Sequence, residues 1–200
     1  EKMIKKFFES EEKIVEVPPW TEEHTAAENY YVATTQRDRS GRYVVRLPLK
    51  SNFQLGASRG SAVGQMRHLE KRFQSNPELK LRYVSAMEDY FKTGHAVYCS
   101  DNLPTPHCYL PHLAVIKEDS ATTKTRVVLN ASFPTSNKKS LNDNLLVGPV
   151  VQRDLVIKII IMNKEDQDLQ RFIWRASEDE PLRDCRLTTV TFGEASAPFT

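Results

Sequence analysis

The apolar positions of this chain change their spacing several times, and each change marks an element. Residues 109–132 read YLPHLAVIKEDSATTKTRVVLNAS. Leu113, Ala114, Val115 and Ile116 form one short apolar run, and Val127, Val128 and Leu129 form a second, closed by Asn130. Polar, turn-rich residues 117–124 lie between them. Two β-branched runs joined by a polar loop predict a β-hairpin. The loop is long for a hairpin, which points to a role at its tip. Lys117, Lys124 and Arg126 lie at the base of this loop or on it, and three cations on a projecting hairpin suit a phosphate-rich partner.

Elsewhere the spacing alternates between helical and extended. Thr21 can cap a helix with Glu22 and Glu23 in its first turn and Ala26, Ala27, Tyr30 and Tyr31 on its apolar side. Asp38, Arg39, Ser40 and Gly41 make a turn. Residues 42–49 then alternate, with Tyr43, Val45 and Leu47 on one face, and Pro48 ends that strand or places it at an edge. Ala62, Met66, Leu69 and Phe73 recur at helical spacing over residues 58–74. Asn76 and Pro77 open a second helix with Leu79, Tyr83, Met87 and Tyr90 as its stripe, and Gly94 ends it. Both stripes suit core packing. Arg67, His68, Lys71 and Arg72 form a basic flank on the first of these helices, which suits either a solvated face or contact with a nucleic-acid template. Residues 150–162 predict a helix. Residues 169–175 and 183–190 predict two strands around an acidic loop containing Glu178, Asp179 and Glu180. The pattern is that of an α+β protein, with helices packed on short antiparallel strands.

Composition narrows the picture only slightly. The chain has 200 residues, 40% of them hydrophobic, with a formal net charge of +2. So mild an excess means that any nucleic-acid surface must be a local patch. Cys99, Cys108 and Cys185 cannot all pair with one another, which points to a reducing compartment. The first residues lack the apolar core of a secretory signal, and residues 155–162 are too short to span a bilayer. The expectation is a soluble intracellular chain with no membrane partner. Cys99, His107, Cys108 and His112 are clustered in sequence, but their spacing matches no compact zinc pattern, so no metal site is assigned to them.

Several blocks, taken in order, resemble the reverse transcriptases of BEL/Pao-type LTR retrotransposons. They are FFESEE, TTQRDRSGRYVVRLPLK, the hairpin itself, SLNDNLLVGPVVQRDL, EDQDLQRFIWR and CRLTTVTFGEASAPF. The resemblance implies a connector at residues 1–20, a fingers-like region with a preceding helical segment at 21–149, and a truncated palm-like region at 150–200. It implies that the basic residues of the hairpin reach the triphosphate of an incoming nucleotide: Arg126 opening the second strand, and Lys117 or Lys124 ending the first. Phe192 and Gly193 would lie beside the nucleotide sugar. Where the family carries an aspartate after its second hairpin strand, this chain has Asn130.

The resemblance also implies an absence. An intact family member holds Mg2+ on aspartates, the first of them on a strand preceding EDQDLQ. Here QRDLVIKI runs almost directly into IIMNKEDQDLQ, and the paired aspartates expected later would fall past residue 200. Asp154, Glu165, Asp166 and Asp168 read as helix, turn and surface carboxylates, so neither catalytic nor metal residues are assigned. The shortened palm predicts exposed apolar surface at Ile157, Ile160 and Ile161. The expectation is thus an inactive relative of an RNA-directed DNA polymerase with weak primer–template binding through the hairpin and Arg67, Lys71 and Arg72. Two alternatives are a nucleic-acid-binding or interaction module and one piece of an active polymerase from a longer gene product.

Overall fold

Thr21 starts helix α1 (Glu22–Thr34) through a capping box. Its hydroxyl accepts from the His24 amide at 3.1 Å, and His24 Nδ1 accepts from the Thr21 amide. The computed structural model describes residues 20–99, 105–116, 125–149 and 160–190. After α1 come strands β1 (Gln36–Arg37) and β2 (Tyr43–Val45), joined by the turn at residues 38–41. Gly41 has φ +83° there, a conformation that glycine adopts without a Cβ clash. Helices α2 (Arg59–Ser75) and α3 (Pro77–Lys92) follow. The Asn76 side chain caps α3 by accepting from the Leu79 amide at 3.0 Å, and Gly94 at φ +73° lies just past its end.

The remaining strands are β3 (Ala96–Tyr98), β4 (His112–Ile116), β5 (Thr125–Leu129), β6 (Ile161–Met162), β7 (Arg171–Trp174) and β8 (Arg183–Leu187). Short 3-10 turns occupy Asn142–Asn144 and Gln167–Gln170. Three small sheets result: β1–β2–β6, β3–β8–β7 and the β4–β5 hairpin. The last pairs antiparallel from His112 opposite Leu129 to Ile116 opposite Thr125, as the two apolar runs predict.

Both helical stripes enter the core. Ala62, Met66, Leu69 and Phe73 are buried on α2, and Leu79, Tyr83 and Met87 on α3, while Tyr90 is partly covered. Every residue of β7 is buried. A strand covered on both faces loses the two-residue alternation that usually reveals it. Tyr83 sits among Phe73, Trp174 and His112, with ring centroids at 5.3, 5.8 and 5.8 Å. That cluster joins α2, α3, β4 and β7 into one core, and such ring pairs add stability beyond their buried area.

Several expectations need correction. The stretch predicted as a helix to Met162 ends in strand β6, which runs parallel to β2 with Val44 opposite Ile161 and Val45 opposite Met162. Ile160 is buried and Ile161 half-buried, so neither is left facing solvent. Ile161 pairs with Val44 of β2, and the Ile160 carbonyl accepts from the Val190 amide at 3.0 Å, partners that local sequence could not announce. The strand expected over residues 42–49 is only Tyr43–Val45, so it ends three residues before Pro48, and β2 lies in the middle of its sheet rather than at an edge. Val45 and Leu47 are buried, whereas Tyr43 is 43% exposed beside the turn. Residues 167–170 form a 3-10 turn before β7, so that strand starts later than its apolar pattern suggests. The connector at 1–19, the helix over 150–159 with Asp154 and Ile157, and residues 191–200 lie outside the described residues.

Candidate nucleic-acid interface

The β4–β5 hairpin is fixed from beneath by a buried histidine. His112 Nδ1 accepts from the Tyr83 hydroxyl, and Nε2 donates to the Ile173 carbonyl at 2.8 Å. Both ring nitrogens are therefore occupied inside the core. Burial drives the imidazole pKa down to about 4, against a smaller upward push from the Ile173 carbonyl. On β5, Thr125, Val127 and Leu129 point inward, and the Tyr90 hydroxyl of α3 donates to the Val127 carbonyl at 3.4 Å.

Arg126 alternates with these residues and lies opposite Val115, half-buried on the other face of the hairpin with Val128. Its charge acts on the neighbouring Tyr90 phenol. Burial raises that phenol above its ordinary pKa, and Arg126 partly offsets the rise. Lys117, Lys124, Phe192 and Gly193 lie outside the described residues. At the base of the hairpin, Asn130 Oδ1 accepts from the Ser132 amide at 3.1 Å, a bond that a carboxylate would accept equally.

Arg67, Lys71 and Arg72 are exposed on α2. Lys71 and Arg72 line an open groove with His68, Ser75, Asn76 and Leu79, where α2 turns into α3. The fold thus gathers these cations on α2 and sets Arg126 on β5. It places the two groups on different elements.

Glu165 stays on the surface as expected, but Asp166 and Asp168 do not. Asp166 is buried and receives Arg46 Nε at 3.2 Å, Arg46 Nη2 at 3.0 Å and the Leu47 amide at 3.0 Å. Asp168 is buried between Arg171 Nε at 2.7 Å and Arg186 Nη1 at 2.9 Å. Arg171 extends this network to the Tyr109 hydroxyl at 3.2 Å. Tyr109 donates in turn to Asp184, which also receives Arg59 at 2.7 Å. Both aspartates are committed to guanidinium groups, so they do not fit a pair of divalent-metal ligands. The Arg46–Asp166 contact joins residues 120 positions apart, which no local pattern displays. The three-residue spacing of Asp168 and Arg171 is the one sequence signal that reveals the second pair.

Cys108 and Cys185 are buried and Cys99 is partly covered. Desolvation raises all three thiols, Cys108 to about 11. Among the described residues, no helix is long and apolar enough to cross a membrane. No family model and no curated protein matches the chain.

Proposed function

We propose that this chain is a fingers and truncated-palm relative of a BEL/Pao-type reverse transcriptase, which contacts primer–template or nucleotide phosphates and does not polymerise. The observation that carries the reading is the β4–β5 hairpin, seated on α3 and presenting Arg126 beside its long polar loop. A guanidinium held on a strand stabilises phosphate charge through directed hydrogen bonds. Lys117 and Lys124 flank the same loop in sequence, and Arg67, Lys71 and Arg72 supply a second cationic surface on α2.

The lack of polymerase chemistry follows from a separate consideration. In-line phosphoryl transfer needs carboxylates free to hold metal at fixed positions. Glu165, Asp166 and Asp168, the described carboxylates nearest that position in sequence, are each paired with arginines. A lysine or arginine that binds phosphate cannot take over the role of holding Mg2+.

The test is fluorescence anisotropy of a labelled RNA–DNA primer–template with the full chain. Affinity should fall steeply with salt. The double substitution Lys117→Ala and Arg126→Ala should weaken binding about tenfold and flatten the logarithmic salt slope by about 0.9 for each phosphate no longer neutralised. Unchanged binding would remove the hairpin from the interface. In parallel, primer extension with Mg2+ or Mn2+ should give no product. Extension abolished by the same double substitution would overturn the inactive reading.

A further inference from the structure

A third cationic surface lies on the β1–β2 hairpin, which contains none of the residues assigned to nucleotide contact above. Arg37, Arg39, Arg42 and Tyr43 are all exposed within seven residues of chain. These arginines and Asp38 give the hairpin a net charge of +2, as much as the whole 200-residue chain carries. Asp38 does not oppose an incoming anion freely. It accepts from the Ser40 amide at 2.8 Å, the Ser40 hydroxyl at 2.6 Å and the Arg42 amide at 3.0 Å, and it pairs with the Arg42 guanidinium at 3.2 Å. The carboxylate is thereby built into the turn.

Arg37 is held in a defined pose. Its guanidinium carbon lies 4.1 Å from the Tyr43 ring centroid, Nη2 donates to the Tyr43 hydroxyl at 2.6 Å, and Nη1 donates to the Gly41 carbonyl at 2.9 Å. The stack presents a flat, cationic, aromatic surface whose side-chain ordering cost is already met in the free protein. Beside it, Arg39 has no hydrogen bond or ion pair among the described residues. The other exposed arginine–tyrosine stack, Arg183 over Tyr98 at 4.5 Å, lacks this character. Its arginine follows the acidic run Glu178, Asp179 and Glu180, whose residues are all exposed.

We propose that the β1–β2 hairpin binds single-stranded nucleic acid, with Arg39 and Arg37 on successive phosphates and a base stacked on the Arg37–Tyr43 platform. Charge alone would suit any polyanion. A planar platform among cations favours an unpaired base, because a duplex keeps its base faces inside the stack. The inference deepens the nucleic-acid reading of this chain, but it assigns a different surface.

The experiment measures anisotropy of labelled dT20, a 20-base-pair duplex, and phosphatidylserine vesicle binding with the full chain at 50 and 200 mM KCl. Arg37→Ala with Arg39→Ala should weaken dT20 binding about tenfold and lower its salt slope by about 1.4, near 0.7 per phosphate. Tyr43→Leu should weaken dT20 at least fivefold and leave duplex binding unchanged, whereas Tyr43→Phe should retain most of the affinity. Circular dichroism melts of the variants exclude unfolding as the cause. Unchanged dT20 affinity in the double variant overturns the proposal. So does equal loss on dT20 and vesicles with no effect of Tyr43→Leu, which would mean charge alone. Lys117→Ala with Arg126→Ala separates the two surfaces. Loss there with no effect of the β1–β2 variants refutes this proposal and keeps the β4–β5 reading, and the opposite pattern does the reverse. No binding of any nucleic acid refutes both.

Discussion

Arginines inside this molecule and arginines on its surface have the same chemistry and opposite surroundings. Arg171 is almost wholly buried and bonds to Asp168 and Tyr109, and Arg175 donates twice to Glu70 and to the Glu178 and Glu180 carbonyls. Arg39, Arg67 and Arg72 are exposed. The difference teaches why identical side chains take structural or binding roles. A guanidinium withdrawn from water must find carboxylates or carbonyls, or its desolvation is uncompensated. One left in water keeps its charge available to an anion arriving from outside. Burial thereby converts Asp166 and Asp168 from potential metal ligands into parts of the scaffold.

The comparison is broken most severely by removing an inside partner. Arg171→Met should cost about 3–5 kcal/mol, because Asp168 remains buried with only Arg186 beside it. The urea midpoint should fall accordingly. Adding Asp168→Asn should recover part of the loss, since the uncompensated charge is then gone, and a double-mutant cycle measures that coupling. Simple addition of the two effects would mean that the pair is energetically independent.

A buried base gives the next effect. The His112 pKa is about 4 in the fold against 6.5 for an ordinary histidine. The unfolded chain therefore binds a proton that the native chain refuses as pH falls below 6.5. Stability from this group is full above that pH and is lost on acidification toward about 4, a change of order 3 kcal/mol. Protonation would also end acceptance of the Tyr83 hydroxyl at Nδ1. Urea titrations between pH 7 and 4 should show this decline, and His112→Gln should flatten it. An equally steep decline in that variant would assign the effect elsewhere.

The smallest effect on folding belongs to the outside cations. Replacing Arg67, Lys71 and Arg72 by glutamine should each change unfolding free energy by no more than about 0.5 kcal/mol, because the side chains are exposed on α2. Thermal melts check this. A large destabilisation at any one of them would show that it belongs with the inside group.

The legible parts of this fold are those governed by neighbours in sequence. The stripes of α2 and α3, the Thr21 and Asn76 caps, the Gly41 turn and the register-compatible runs of β4 and β5 all follow from spacing and local hydrogen bonding. The cationic character of Arg126 and of the α2 flank is equally visible, because charge is carried by residue identity. What the chain alone could not display was partnership at a distance. Strand β6 exists through its parallel pairing with β2, more than a hundred residues earlier. Asp166 reads as a surface carboxylate until Arg46 is placed against it, and the stacking of Arg37 on Tyr43 appears only in the folded chain. Sequence thus determined which residues could form helices, turns and a basic hairpin. Tertiary structure decided which charges left water, since desolvation depends on neighbours brought together only by the folded chain.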